Sequence, residues 1–463
     1  MIARYTYLLI AIVSLHFSFG QTVVTEEEFI AAVIQYHPIA LQADLREAIG
    51  NAKLLKAKGW FDPKITTDFN QKSFDDKNYF QMLDGSLKVP TWIGADLKLG
   101  YSWNNGVFLN PENNLPSNGL LSAGIELPVL RGLIMDKRRA DLQQGKNYAQ
   151  MGQLERQQLL NELVFEASQA YWQWFEANRN FTISAEGVIL AEATLEFTRV
   201  SSRLGDKPYI DTLEALIQVQ NRQVDKALDS LELINSRLWA SSFLWLDDLT
   251  PALIAEDAVP MSFERNEKAI QEFLDEMAAK EDSLLINNPK LRWYDYKLSN
   301  LNIDRKLAKE QLKPVLNVGY NFLNQPLEET VFDRFNVSNY KWNVNLSVPL
   351  FLRKERGNFK AVNAEFEAAS ADFSNLQLQQ ENKVKAINNK ISVYLQQLDL
   401  VSKNIIDNRT LVQAEKRKFN IGESSVFLVN YREISLLKVL QKEAYLQAKL
   451  KLALAELEMA IGW

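Results

Sequence analysis

Apolar and polar residues alternate with a period of two in several short stretches of this chain. After Pro63, Ile65, Thr67 and Phe69 alternate with Thr66, Asp68 and Asn70. After Pro314, Leu316, Val318, Tyr320 and Phe322 alternate with Asn317, Gly319 and Asn321. Leu121, Ala123, Ile125 and Leu127 share one face before Pro128, and Trp342, Val344, Leu346 and Val348 share one before Pro349. This spacing predicts strands that are apolar on one face and polar on the other. A fifth stretch, with Ala95, Leu97, Leu99, Tyr101 and Trp103 on one side, has no counterpart after Pro314. It predicts a hairpin, around residues 79–103, that either extends a four-strand set or caps it.

The strands belong to a duplicated pattern. HPIALQADLREAIGNAKLLKAKGWFDP and NPKLRWYDYKLSNLNIDRKLAKEQLKP each open on a proline, run as a helix and close on a second proline. The spacing between the two prolines is identical in both. Each copy then continues into a strand pair and a long helical stretch poor in Pro and Gly, from about residue 134 to 203 and from about 356 to 420. At about 1.5 Å per residue, such a helix reaches roughly 100 Å. Each stretch stops at a glycine, Gly205 or Gly422, and a shorter helix returns.

In the first return helix, Ile210, Leu213, Ile217, Gln220, Val224, Ala227, Leu231, Ile234 and Leu238 follow alternating steps of three and four. That spacing predicts a coiled-coil seam. The second return helix carries a seam of smaller residues through Ile434, Leu437, Ala444 and Ala448. The expected organisation is an export signal over 1–20, a first repeat over 21–245, an acidic linker over 246–285 with an amphipathic helix from about Ser262, and a second repeat over 286–463.

Composition narrows the function. The net charge is −6, which argues against a nucleic-acid partner. With no cysteine and two histidines, there is no basis for a disulfide, a thiolate metal site or a histidine-built active centre. Neither an enzyme nor a cofactor is expected. The apolar run Tyr7–Phe19 behind Arg4 predicts an export signal, being shorter than the roughly 18–20 residues of a spanning helix. An exported chain with no later spanning helix crosses a membrane only as a β-barrel. Four strands cannot close one, because about eight is the minimum. The strands must therefore be shared between copies, and three copies of four give twelve. The reading is an α+β membrane protein with an internal two-fold repeat, whose long helices form a coiled-coil periplasmic barrel and whose strands form a shared transmembrane β-barrel. A secreted coiled-coil scaffold of the cell envelope is the alternative.

The order of these features resembles the TolC-like outer membrane efflux protein family. The resemblance rests on the duplicated helix–proline–strand pattern, the strand-end prolines Pro128 and Pro349, the two glycine turns and the C-terminal LALAELEMAIGW. It implies a homotrimer in outer membrane lipid that extends into the periplasm. Such a channel docks a periplasmic adaptor and, through it, an inner-membrane transporter of the RND, ABC or similar type. It is a passive exit duct of a tripartite efflux pump or a type I secretion system.

By the same resemblance, Gly205, Gly422 and Glu423 lie at the periplasmic tip and meet the adaptor; the plainer reading is that both glycines only stop helices. Six and nine positions after the second turn glycine, where relatives can carry acids around the closed entrance, this chain has Leu428 and Tyr431. The first repeat keeps acids there, Asp211 and Glu214. The gate is then apolar, closed by Leu428 and Tyr431 with Asp211, Glu214 and Glu423 near it, or these are ordinary helix-surface residues. Tyr101, Trp103, Tyr320 and Trp342 suit a membrane-interface girdle, while Trp172 and Trp174 suit helix packing.

Overall fold

The computed structural model describes residues 22–325 and 338–462. The expected export signal and most of the second-repeat loop between strands lie outside them. The chain divides into two compact units, each drawing on both repeats: one takes residues up to Gln42, Leu159–Leu285 and Gln380–Trp463, the other Ala43–Gln158 and Ile286–Gln379.

The second of these units holds one antiparallel sheet. Its strands are β2 (Lys64–Phe74), β3 (Lys77–Pro90), β4 (Asp96–Asn105), β5 (Leu120–Pro128), β7 (Val315–Asn324) and β8 (Tyr340–Ser347), in the order β2-β3-β4-β5-β7-β8. The expectation of four strands is therefore corrected to six. The extra piece does not cap the set; β3 pairs with β2 on one side and β4 on the other, and β4 pairs with β5. A two-residue turn makes this possible. Asp75 and Asp76 both have positive φ, 55° and 56°. That is the twist a tight hairpin needs, and aspartate tolerates it.

The alternation holds over the helix-side part of the sheet, while further out Phe80 and Met82 fall on the polar face opposite Lys72 and Asn70. Ile65, Leu87, Leu99, Ala123, Phe322 and Tyr340 are successive cross-strand neighbours and so lie on one face. One row along, Val89, Leu97, Ile125, Tyr320 and Trp342 continue that face. Many of these side chains are exposed, including Ile65 at 80% and Trp342 at 63%.

The proline-bracketed runs are helices α2 (Pro38–Lys58) and α6 (Pro289–Glu310). Both begin with proline, whose missing N–H costs nothing at a first helical position. The residue before each proline supplies the cap. Asn288 Oδ1 accepts from the N–H groups of Lys290 and Leu291 at 3.0 and 3.2 Å. His37 does the same job through Nδ1, accepting from the N–H of Ile39 at 3.2 Å. Its ring packs between Phe243 and Trp245, with centroids 5.8 and 6.0 Å away, and burial lowers its pKa.

Within the sheet-bearing unit, α2 crosses the start of α3 (Lys137–Arg203) on glycines. A Cβ on Gly152 would stand 2.8 Å from the Arg46 carbonyl and 3.2 Å from Gly50 Cα. Backbones come this close only where side chains are absent. Of the basic run after the strand-end proline, Arg138 and Arg139 fold inward, while Lys137 stays in solvent at 67% exposure. Arg138 pairs with Asp96 at 2.6 Å, and Arg139 donates to the Gly132 and Leu133 carbonyls.

The other unit is helical. It contains α1 (Glu26–Tyr36), most of α3, α4 (Tyr209–Ser241), most of α5 (Glu267–Asn287), much of α7 (Arg353–Asn420), and α8 (Val426–Ile461). The strands β1 (Val23–Val24) and β6 (Val259–Pro260) pair in parallel. Tyr171 locks them by donating to the Val24 carbonyl at 2.9 Å and accepting from the Met261 N–H at 3.1 Å. Around it, Phe29, Val33, Trp172, Trp174 and Phe175 form an aromatic core, as expected for the two tryptophans. The linker helix α5 packs Ile270, Phe273, Leu274 and Met277 against Val384, Ile387 and Leu446.

The two return helices differ from each other. In α8, Leu437, Ala444 and Ala448 are buried, as its seam predicts. In α4, the seam is not the face packed within the chain. Ile210, Leu213, Ile217, Val224, Leu231, Ile234 and Leu238 are all exposed, from 44% to 64%, while Ala215, Val219, Ser236 and Ala240 are buried. Small residues let α4 lie close to its own chain, and the larger apolar stripe faces outward.

Gly152→Leu is expected to destabilise the helix crossing by roughly 1–3 kcal/mol, the usual range for overpacking. Gly152→Ala, with a single added methyl, costs less. Thermal unfolding of the purified protein checks both.

Candidate functional site

Two places carry functional geometry: the pair of helix turns in the helical unit, and the polar face of the sheet in the other.

The two turns are built identically. In the first, the Gly205 N–H donates to the Ser202 carbonyl at 3.1 Å and the Asp206 N–H to the Ser201 carbonyl at 2.9 Å. In the second, Gly422 donates to Phe419 at 3.2 Å and Glu423 to Lys418 at 2.9 Å. Both glycines have φ of 82°. This is a Schellman stop, which consumes the last helix carbonyls and needs a left-handed residue. Nothing lies within 4 Å of where either Cβ would be, so the requirement is conformational and not steric.

The turns are held side by side. Ala191 and Leu195 of α3, Ala215 and Val219 of α4, Phe419 of α7, and Val426 and Val429 of α8 form one buried cluster. Lys207, from the first turn, places its ammonium 3.5 Å from the centre of the Phe419 ring of the second. Burial lowers the Lys207 pKa, and nearby Asp211 opposes that shift. The outer surface is apolar: Leu204, Tyr209 and Ile421 are at least 70% exposed and Phe427 is 60% exposed.

The sequence-derived candidates occupy matching places on this cluster. Asp211 and Glu214 are half-buried in the first turns of α4, Glu423 is exposed in the second loop, and Leu428 and Tyr431 are exposed on α8. A layer of charge behind them was not legible beforehand. Glu433 is buried and pairs with Lys416 at 2.8 Å, and Arg222 is buried with Asp225 at 3.9 Å. Burial lowers the Arg222 pKa and raises that of Asp229. These residues interrupt apolar helix faces, and only three-dimensional packing shows which interruptions turn inward.

On the sheet, the polar face carries a row of lysines. Lys64, Lys88 and Lys98 are successive cross-strand neighbours, and the row passes through Gly124 and Asn321 to Lys341. Lys88 pairs with Asp96 at 2.8 Å and Lys98 with Glu126, whereas Lys64 and Lys341 stand at the two edge strands. Alternation had placed Lys98 and Lys341 on polar faces, but register alone aligns all four.

Gly205→Ala and Gly422→Ala are each expected to cost about 1–2 kcal/mol locally, the price of a left-handed non-glycine residue. Asparagine at either position costs less, because it tolerates that conformation. Hydrogen exchange of amides around residues 200–210 and 417–427 reads the loosening directly.

Comparison with known proteins bears on the whole chain. Residues 282–463 match the outer membrane efflux protein family. No curated protein matches the sequence. Among solved structures, the outer membrane protein VceC of Vibrio cholerae is similar at a TM-score of 0.65 and 12% identity, over 94% of this chain and 96% of that one. The MtrE outer membrane channel of Neisseria gonorrhoeae gives 0.64 at 12%, over 94% and 88%. The CmeC outer membrane channel of Campylobacter jejuni gives 0.63 at 11%, over 94% and 85%. The resemblance to TolC-like proteins read from the sequence is thus borne out by two independent routes. The chain carries the sequence pattern of the outer membrane efflux protein family over residues 282–463, and over nearly its whole length it has the fold of outer membrane channels.

Proposed function

We propose that this chain is one subunit of a homotrimeric outer membrane exit duct, extending into the periplasm and serving an efflux pump. The observation that carries the reading is the sheet: apolar on one face, polar on the other, and unpaired at both ends of its strand order. Such a sheet suits lipid outside and water inside. Among the described residues no helix is long and apolar enough to cross a membrane. The aromatic residues stand on the apolar face. Tyr320 and Trp342 lie level with Leu97, and Trp103 lies six residues further along β4, roughly 20 Å away at about 3.4 Å per residue. With strands tilted about 40°, this is roughly 16 Å of height, inside a barrel's apolar band of about 25 Å.

The exposed stripe of α4 supports the same assembly. Among the described residues, Ile217, Val224, Leu231 and Leu238 form a heptad seam that belongs to no buried cluster of their own chain. A neighbouring subunit's helix covers it, so the helices form a shared coiled-coil barrel as the strands do. The paired turns at Gly205 and Gly422, with Glu423 and their apolar surround, form the surface for a periplasmic adaptor. The adaptor links the duct to an inner-membrane transporter that supplies the driving force. Leu428 and Tyr431 form an apolar constriction, with Asp211 and Glu214 beside it, and hydrophobic constrictions gate pores by expelling water. The chain performs no covalent chemistry in this role.

Heat-dependent migration of the membrane-extracted protein, with mass determination in detergent, tests the reading. A species of three subunits found in outer membrane extracts is expected. A soluble monomer released with the periplasm contradicts it and leaves the coiled-coil scaffold.

With the polar face lining the lumen, Lys64 and Lys341 add positive charge to the water-filled side. Replacing both with glutamine is expected to lower the preference for anions over cations, measured as reversal potential across a planar bilayer under a salt gradient.

A further inference from the structure

The two repeats differ in strand number: the second contributes β7 and β8, and the first contributes β2 to β5. We propose that all six strands enter the wall of the barrel, so that three chains close eighteen strands, with β2 of one subunit pairing with β8 of the next. This rests on the exit-duct reading and adds to it the architecture of the membrane segment.

Four observations carry the count. First, β3 and β4 are integral to the sheet. Ladders run from Lys64–Lys88 to Phe74–Lys77, with one register shift after Lys72, and without a break from Gln81–Asn105 to Pro90–Asp96. Second, the inserted strands keep the alternation from Leu83 to Val89 and from Asp96 to Trp103. Leu87 and Leu99 fall between Ile65 and Ala123 on the apolar face, while Ser86 and Gly100 fall between Thr66 and Ser122 on the polar one. A cap outside the membrane has no need of a lipid-compatible face in register with its neighbours. Third, the helix-side end of the insertion is tied down. Asp96 accepts from Arg138 at the start of α3 at 2.6 Å and pairs with Lys88, which sets the β3–β4 turn against the helix start like the other strand ends. Fourth, the edges suit closure. Six antiparallel strands leave the first and last running in opposite directions, so β8 meets a neighbour's β2 antiparallel. Those edges are 11 and 8 residues long, contain no proline, and would otherwise stand open in lipid.

The consequence is a wider lumen. With strands about 4.8 Å apart and tilted about 40°, eighteen strands give a backbone diameter of about 36 Å, against about 24 Å for the twelve expected from four strands per chain. The insertion therefore enlarges the membrane exit without lengthening either periplasmic helical hairpin.

The test uses a single cross-strand row, Thr66, Ser86, Gly100 and Ser122, in a chain with no cysteine of its own. Thr66 and Ser86 already stand with their hydroxyls 2.7 Å apart. In outer membrane preparations, the pairs Thr66→Cys with Ser86→Cys, and Gly100→Cys with Ser122→Cys, are expected to oxidise within one chain. Cysteines at Lys341, Asn343 or Asn345, paired with Thr66→Cys or Asp68→Cys, are expected to give covalent dimers and trimers. The skipping pair Thr66→Cys with Ser122→Cys is expected to stay reduced, since three strand spacings separate them. Oxidation of that skipping pair in a protein of trimeric mass overturns the eighteen-strand wall and leaves the duct intact. A monomeric mass with no cross-chain product overturns the duct reading itself, and the wall with it.

Discussion

A β-sheet in lipid cannot leave an edge unpaired, because the hydrocarbon offers nothing to its N–H and C=O groups. This constraint organises the molecule. Among the described residues the chain makes a sheet of six strands, short of the eight that close a barrel alone, with one apolar face and no strand paired beyond β2 or β8. In the proposed duct, the elements near the sheet hold that incomplete wall ready for a neighbour. The capped helices α2 and α6 feed β2 and β7, the glycine crossing brings α2 against α3, and the Asp96–Arg138 pair sets the inserted hairpin on its helix. The same logic applies to α4, which turns small residues toward its own chain and a heptad stripe away from it.

The internal repeat is an economical source of both features, because each copy brings a capped helix, strands, a long helix, a glycine stop and a return helix. The copies have diverged where function would press hardest. The stops share one hydrogen-bond pattern and one φ, yet the residues six and nine positions beyond them are acidic in one copy and apolar in the other. Among the described residues the first copy has two more strands than the second. The backbone framework is thus duplicated, while the apolar residues after the stop lie in the second copy and the extra strands in the first.

Much of this was legible in the sequence because it depends on local rules. Period-two alternation located five of the six strands, Pro38 and Pro289 marked two helix starts, and Gly205 and Gly422 marked two helix ends. What failed to be legible depends on tertiary partners. The β2–β3 hairpin turns on Asp75-Asp76, a weaker signal than Asn-Gly, and β3 itself alternates imperfectly around Asp84-Gly85-Ser86. The seam of α4 was read correctly as a pattern, but a pattern does not say whether the partner lies in the same chain. The lysine row and the buried Glu433–Lys416 pair needed register and packing, which alternation does not supply.

The central claim is that this chain is a stave of a shared barrel. Imaging the membrane-extracted protein in lipid nanodiscs by electron cryomicroscopy tests it most directly. The account predicts a three-fold ring in which every sheet edge is paired and each subunit contributes six strands. A particle in which β2 or β8 ends unpaired in water, with no ring in the bilayer, would contradict it.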